Sequence, residues 1–193
     1  MRLMSEIERI DENNKQKVLS ILKQDVVKHV FAYYDLQHEE EKTTVYASFK
    51  DSKLEGYILI YAALEYPSVI LECKNNLAKE LMEYAPKGHF IMHTYPDLLQ
   101  TVRAKFPDAK HYVEDWMTVE KTKAHFFKSP SVRRLSTLED APMLSNLLST
   151  RKDHPAIIEK RFVEMVTKTP VYGVRANGEL VAYAGPLTQR PPV

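Results

Sequence analysis

The stretch VYGVRANGELVAYA, residues 171–184, predicts its local fold more clearly than any other part of the chain. Two strand-like runs, Val171–Arg175 and Leu180–Ala184, flank Asn177-Gly178, the pair that most readily supplies the two positive φ angles of a tight turn. The stretch therefore predicts a β-hairpin with a two-residue loop. Only Pro186–Val193 follows in the sequence, so we expect no helix after this hairpin to close its sheet.

Length and composition exclude several classes of protein. A chain of 193 residues with 44% hydrophobic content can bury one large core or two small ones. Lys+Arg number 27 against 26 Asp+Glu, and no basic stripe alternates with aromatic residues, which argues against a nucleic-acid partner. No apolar run approaches the ~20 residues that span a bilayer. The single cysteine, Cys73, excludes an intramolecular disulfide. We therefore expect a cytoplasmic protein without a nucleic-acid or membrane partner.

The first 121 residues or so predict the order helix, helix, strand, strand, strand, helix, strand, helix, strand. Thr43–Phe49 alternates apolar and polar residues, as a strand with two unlike faces does. Gly56–Ala63 is a nearly continuous apolar run, typical of a strand covered on both faces. The remaining elements are predicted near Val18–Leu22, Val26–Leu36, Val69–Leu71, Leu77–Tyr84, Phe90–Met92, Pro96–Phe106 and His111–Val119. Of these, the strand at Phe90–Met92 is expected to be buried.

The pattern then restarts after a linker at Ser129–Ser131. Val132–Leu135 predicts a strand, Ser136 with Glu139 matches a capping box that opens a helix, and Pro155 begins a further helix before the hairpin. Val171-Tyr172 repeats Val45-Tyr46 at an offset of 171 − 45 = 126 residues. The sequence thus predicts a divergent tandem duplication, with one domain over residues 1–128 and part of a second over residues 129–193.

These patterns carry a resemblance to a known superfamily. The run Val132–Leu144 is similar to the opening strand and first helix of GNAT acetyltransferases, and Val171–Leu187 to their second and third strands. The first unit has the element order of a complete but degenerate copy. The resemblance implies an α/β fold with a central mixed β-sheet flanked by helices. A degenerate unit followed by a second one resembles the two-domain glycine N-acyltransferase-like proteins.

The resemblance also implies a function. GNAT enzymes transfer an acetyl or other acyl group from acyl-CoA to an amine, so the acceptor would be a small-molecule or peptide amine. Their loop Gln/Arg-x-x-Gly-x-Gly/Ala holds the pyrophosphate with bare backbone N–H groups. No two of the five glycines here have the spacing Gly-x-Gly, and the corresponding passage, Leu71–Leu77, contains none. We therefore expect acetyl-CoA or another acyl-CoA to serve the complete protein but not to bind this chain tightly. The alternative is a non-catalytic GNAT-like module for partner binding or homodimerisation.

Few side chains stand out as candidates for a site. The resemblance places Arg151 and His154 where GNAT enzymes shape the acceptor site, although a surface loop before Pro155 is the simpler explanation and the one we favour. A hydrolase built on Cys73 and a histidine is a third hypothesis, but a lone cysteine at a strand end is usually packed and inert.

His89 and His93 bracket a strand about 13 Å apart, too far to share one metal ion. No catalytic or metal-binding residue is assigned, and the aromatic strand Tyr57–Tyr61, like Trp116, is more simply packing than a ligand cleft.

Overall fold

A computed structural model describes residues 7–51, 53–64, 66–115, 117–123, 125, 128–136, 138–149 and 170–185. The chain divides into two compact units, residues 1–118 and 119–191, earlier than the boundary after residue 128 that the sequence suggests. Each unit is a sheet with helices, and the sheet of the first unit is mixed. The predicted fold class, α/β with a central mixed sheet flanked by helices, is confirmed.

The first unit contains a five-stranded sheet in the order β1-β2-β3-β4-β5. Strands β1 to β4 pair antiparallel, whereas β4 and β5 pair parallel, which makes the sheet mixed. The connection between the parallel strands is a helix, as such a crossover requires. The elements are β1 (Ile7–Arg9), α1 (Lys15–Leu22), α2 (Val30–His38), β2 (Thr43–Lys50), β3 (Lys53–Tyr61), β4 (Ser68–Cys73), α3 (Asn75–Leu81), β5 (Ile91–His93) and α4 (Leu99–Lys105).

Helices cover both faces of this sheet. Side chains alternate along β3, so Tyr57 and Leu59 belong to one apolar cluster and Ile58 to another. The first cluster includes the buried faces of α1 and α2, and the second those of α3 and α4. This explains why β3 is a continuous apolar run in the sequence: both of its faces lie against helices.

Two sequence predictions in the first unit need correction, and one strand was missed. The described parts of His111–Val119 form no strand, and Val113 and Met117 are 87% and 92% exposed. Alternating apolar residues form a strand only where a partner strand is present, and no described strand pairs with this segment. The strand near Phe90–Met92 is not buried, since β5 has β4 as its one described neighbour and Ile91 is exposed. The three-residue strand β1 was not predicted.

The second unit is described as a three-stranded antiparallel sheet with one helix. Its elements are β6 (Val132–Arg134), α5 (Asp140–Ser149), β7 (Tyr172–Ala176) and β8 (Glu179–Ala184), in the sheet order β6-β7-β8. The predicted hairpin is confirmed: Ala176 pairs with Glu179, and Asn177 and Gly178 adopt φ angles of 51° and 85°. The core consists of Leu135, Ala141, Leu144, Val171 and Leu180.

The strand pairing of the second unit repeats that of the first at an offset of 125 or 126 residues. Ile7 pairs with Ser48, and Val132 (7 + 125) pairs with Val174 (48 + 126). The next backbone hydrogen bond also repeats. Ile10 donates its N–H to the carbonyl of Val45 at 2.9 Å, and Leu135 donates to Val171 at 2.8 Å.

The two hairpins also share their bulge and their turn. The register shifts between Ser48 and Phe49 in β2, and between Val174 and Arg175, 126 positions later, in β7. In the turns, Asp51 has φ 49° and Asn177 (51 + 126) has φ 51°. Helix α1 begins at residue 15 and α5 at residue 140, again 125 apart. A β-bulge bends its strand and fixes the register of the pairing. A bulge at corresponding positions of β2 and β7 is therefore a specific similarity between the two units.

Candidate functional site

A polar cluster lies at the carboxyl end of β4 in the first unit. It consists of Lys28, His29, Tyr57 and Glu72, and we call it the Glu72 cluster. The Lys28 ammonium forms an ion pair with Oε1 of Glu72. His29 Nδ1 lies 3.3 Å from Oε2 of Glu72 and 3.0 Å from the Tyr57 hydroxyl, which itself donates to Oε2 at 3.4 Å. The Glu72 side chain is 13% exposed, so its carboxylate depends on these partners.

The fold explains how distant residues meet here. Tyr57 on β3 is paired directly with Glu72 on β4, so their side chains emerge on the same face of the sheet. Lys28 and His29 end the connection between α1 and α2, which cover that face. The His29 and Tyr57 rings are 5.9 Å apart between centroids, tilted at 56°. The contact thus ties the helical layer to the centre of the sheet.

The electrostatics of the cluster fix its charge state near neutral pH. Burial raises the pKa of Glu72, but hydrogen bonds from His29 and Lys28 outweigh this effect and hold its pKa below the ordinary value of 4.5. The hydrogen bond to Glu72 raises the pKa of Lys28 above 10.5. Burial, and then the Glu72 charge, raise the pKa of Tyr57 well above 10. Glu72 is therefore an anion, Lys28 a cation, and Tyr57 a protonated donor.

One aromatic ring completes the surroundings of the Lys28 ammonium. The Nζ atom of Lys28 lies 5.6 Å from the centroid of the Tyr95 ring, within the range of a cation–π contact. Tyr95 follows β5 and is 43% exposed. The ammonium therefore lies between a largely buried carboxylate and an accessible ring, an arrangement suited to holding a cation.

The passage from β4 to α3, where the resemblance would place a phosphate loop, is occupied by side-chain contacts. Lys74 pairs with Glu55 through Nζ···O distances of 2.9 and 3.0 Å. The Asn75 side chain accepts a hydrogen bond from the Thr101 hydroxyl at 2.6 Å. Every residue of this passage carries a side chain, so nothing here resembles a glycine cradle of bare N–H groups. The residues of the first unit do not fit a CoA pyrophosphate.

Cys73 lacks the environment of a nucleophile. Burial, followed by the charges of Asp97 and Glu72, raises the pKa of its thiol to about 12, so almost no thiolate forms at neutral pH. The strand also packs closely at this point, because a Cβ atom added at Gly56 would lie 2.2 Å from the Cβ of Cys73. Burial lowers the pKa of His93, which is consequently neutral near pH 7. These observations argue against the hydrolase hypothesis.

A second buried carboxylate lies in the second unit. Asp140, at the start of α5, is fully buried and pairs with Arg133 and with Arg175, the latter at 2.8 Å. Its other oxygen accepts the Ser136 backbone N–H at 2.9 Å. Asp140, rather than the exposed Glu139 of the expected capping box, thus reaches back to Ser136. Because both arginines come from strands, the carboxylate clamps the start of the helix to the sheet.

The sequence did not reveal the Glu72 cluster. The predicted acceptor-site residues, Arg151 and His154, lie outside the described residues, so their role stays a prediction. The local signals for the cluster were the pair Lys28-His29 inside an otherwise apolar stretch and the aromatic strand Tyr57–Tyr61, whose pattern favours packing. Among the described residues, no three or more His, Cys, Asp or Glu side chains gather closely enough to hold a metal ion. No described helix is long and apolar enough to cross a membrane.

Comparisons with known proteins support the fold. No protein-family model matches the sequence, and no curated protein matches it significantly.

A Drosophila protein solved by X-ray crystallography has 14% identity and a TM-score of 0.50, over 93% of this chain and 73% of its own. A ribosomal-protein-alanine N-acetyltransferase from Brucella melitensis biovar Abortus 2308 has 12% identity and a TM-score of 0.36, over 59% and 99%. An aminoglycoside acetyltransferase from an uncultured soil metagenomic sample has 17% identity and a TM-score of 0.38, over 60% of this chain and 96% of its own. The alignment with the Drosophila protein shows a shared fold, whereas the two acetyltransferases align too loosely to carry an argument.

Proposed function

We propose that this chain is an acyl-CoA-dependent N-acyltransferase of the GNAT type, or part of one, in which two copies of the fold follow each other. The observation that supports the tandem arrangement is the repeated strand register, with its bulge and turn, at an offset of 125 to 126 residues. Unrelated sheets share an alternation of residues but not a bulge at the same position of the same strand. The two-domain glycine N-acyltransferase-like proteins are the group that this arrangement most resembles.

We assign acyl transfer to the second unit and a scaffold role to the first. In the reaction, an amine attacks the thioester carbonyl, the C–N bond forms and the C–S bond breaks, while backbone N–H groups stabilise the oxyanion and a base or water takes the amine proton. The occupied passage at Lys74 and Asn75 argues against this chemistry in the first unit. In the second unit, Arg151 and His154 are the proposed acceptor-side residues, and a small-molecule or peptide amine is the proposed acceptor. A cytoplasmic location fits these substrates.

A non-catalytic module is the second candidate function, and one observation favours it. The outer edge of β8 has no partner strand in the described part of the chain, although the corresponding edge of β3 is paired with β4. An open edge beside apolar side chains is a surface for pairing with another chain. Under this alternative, the second unit joins two copies of the chain into a homodimer. Light scattering on the chain and on a version ending at Lys128 tests it, since two monomers at high concentration would contradict dimerisation through this edge.

The proposed enzyme activity is tested by comparing residues 1–193 with the complete product of the gene that encodes them. We expect calorimetry to show acetyl-CoA binding to residues 1–193 no tighter than about millimolar, because no glycine loop is available for the pyrophosphate. We expect the complete product to release free thiol from acetyl-CoA in the presence of a primary amine. A low micromolar dissociation constant for residues 1–193 would refute the expectation that this chain lacks a pyrophosphate site. No binding and no thiol release by the complete product would refute the acyltransferase.

A further inference from the structure

The two oxygens of the Glu72 carboxylate have different partners. Oε2 faces His29 and the Tyr57 hydroxyl, both held by rings packed into the first unit. Oε1 faces only the Lys28 ammonium among the described residues, and the Lys28 side chain is 43% exposed. One oxygen is therefore fixed from inside the fold, whereas the other is reached by a long flexible side chain from the surface.

We propose that Oε1 of Glu72 and the ring of Tyr95 form a binding site for a primary alkylammonium group, which Lys28 occupies from within the chain. A ligand that carries such a group, for example an alkylamine or a lysine side chain, displaces the Lys28 ammonium and takes the same contacts. The site lies in the unit to which the proposed acyl transfer is not assigned. The inference therefore stands without that transfer, and it gives the first unit a recognition role beyond its scaffold role.

The chemistry of the site selects an ammonium among cations. A single available carboxylate oxygen suits the point charge of an ammonium, whereas a guanidinium binds both oxygens of a carboxylate side by side. A quaternary ammonium has no N–H to donate to Oε1. A metal ion would need further ligands that the described residues do not gather here.

The surrounding charges also favour a cation. The Asp25 carboxylate lies beside Lys28, since its Oδ1 accepts the Lys28 backbone N–H at 3.2 Å. Burial, and then the Glu72 charge, raise the pKa of Tyr95, and Asp25 and Asp97 add smaller contributions in the same direction. Removing the Lys28 charge leaves His29 as the remaining basic group of the cluster beside Glu72. An incoming ammonium restores the balance, and its alkyl part contacts the exposed Tyr95 ring.

The test replaces the lysine with a free amine. Lys28→Ala removes the atoms from Cγ to Nζ, and n-propylammonium supplies the same four. We expect titration with n-propylammonium chloride to shift the ring signals of Tyr57 and Tyr95 in NMR spectra. Binding to the variant should be about fivefold tighter than to the unsubstituted chain, the factor that corresponds to a strong, partly exposed ion pair. The same titration should restore any melting temperature that the variant has lost.

Matched controls separate this site from a plain structural ion pair. Lys105→Ala breaks another ion pair of the first unit, with Glu83 at 2.6 Å, and should leave n-propylammonium binding unchanged. n-Propanol and equal ionic strength from NaCl should not replace the amine. Lys28→Ala with Glu72→Gln should not bind. If Lys28→Ala does not fold, Lys28→Met keeps the apolar stem as far as the Cε position, lacks only Nζ, and is titrated with ammonium chloride.

Three results would overturn the proposal. The first is a folded Lys28 variant whose Tyr95 signals do not respond to the amine. The second is amine binding to Lys28→Ala with Glu72→Gln that is as tight as binding to Lys28→Ala alone. The third is a strengthening of amine binding by Lys105→Ala as large as that by Lys28→Ala. No acyl-CoA enters any of these measurements. A failure of the ammonium site and a failure of the acyltransferase proposal are therefore seen in different experiments.

Discussion

Asp35 is a destabilising charge in α2, and removing that charge should stabilise the protein. Burial, followed by the neighbouring charge of Glu39, raises the pKa of Asp35 from 3.8 to about 6. No cation or hydrogen-bond donor among the described residues contacts its carboxyl group. At neutral pH the folded chain therefore holds an ionised carboxylate that its surroundings disfavour. Asp35→Asn keeps the shape of the side chain and removes the charge.

The magnitude follows from the two pKa values. Raising a pKa from 3.8 to about 6 corresponds to about 3 kcal/mol at ~1.4 kcal/mol per pH unit. Because the side chain is partly exposed, water screens the charge and lowers the expected gain to about 1 kcal/mol. The folded pKa lies above the unfolded one, so the folded state binds the proton more strongly. The stability from this group is full below pH 3.8 and is lost as the pH rises through about 6.

The assay is urea unfolding of both proteins at pH 7.5 and pH 4. We expect Asp35→Asn to raise the free energy of unfolding by about 1 kcal/mol at pH 7.5 and by a small fraction of that at pH 4. Asp108→Asn, at an exposed position after α4, is the control and should change stability by less than about 0.5 kcal/mol. An equal gain at both pH values, or a loss at pH 7.5, would refute the reasoning, because neither follows from a raised pKa.

Three further predictions concern the carboxyl end of β4. Cys73→Ala should cost about 1 kcal/mol of stability. The native thiol should react slowly with a thiol reagent, because its pKa is raised to about 12. Rapid labelling of the native protein would contradict the raised pKa. Gly56→Ala should lower the free energy of unfolding in urea by about 3 kcal/mol, because the new Cβ would lie 2.2 Å from the Cβ of Cys73. An unchanged urea midpoint would show that β3 and β4 separate freely at this point. Glu72→Gln should cost about 2 kcal/mol of stability at pH 7 but less at pH 3. The pKa of Glu72 is lower in the folded state than in the unfolded state, so the stability that its charge contributes is lost as the pH falls below 4.5. A cost that does not change with pH would exclude an ionic role.

Local sequence signals predicted the elements whose causes are local. Asn177-Gly178 specifies a turn by its own φ angles, and the apolar run at Gly56–Ala63 reflects the two covered faces of β3. His111–Val119 has an equally clear alternation, but its described residues form no strand, because pairing depends on a neighbour that the segment itself does not encode. The Glu72 cluster was beyond prediction for a similar reason. Lys28 and Glu72 are far apart in the chain, and only the register of β3 with β4 and the position of the α1–α2 connection bring them together.

The repeated backbone does not imply a repeated site, and one pair of tyrosines shows why. Tyr57 in β3 and Tyr183 (57 + 126) in β8 occupy the same position relative to bulge and turn. Tyr57 is 2% exposed, covered by the helical layer, and its hydroxyl donates into the Glu72 cluster. Tyr183 is 39% exposed, on a strand whose outer edge has no partner strand among the described residues. The register is set by the hairpin, whereas the chemistry of the phenol is set by what packs over it. A role for either unit must therefore be argued from its own covering layer, and for the first unit that layer brings a lysine and a histidine to a largely buried carboxylate.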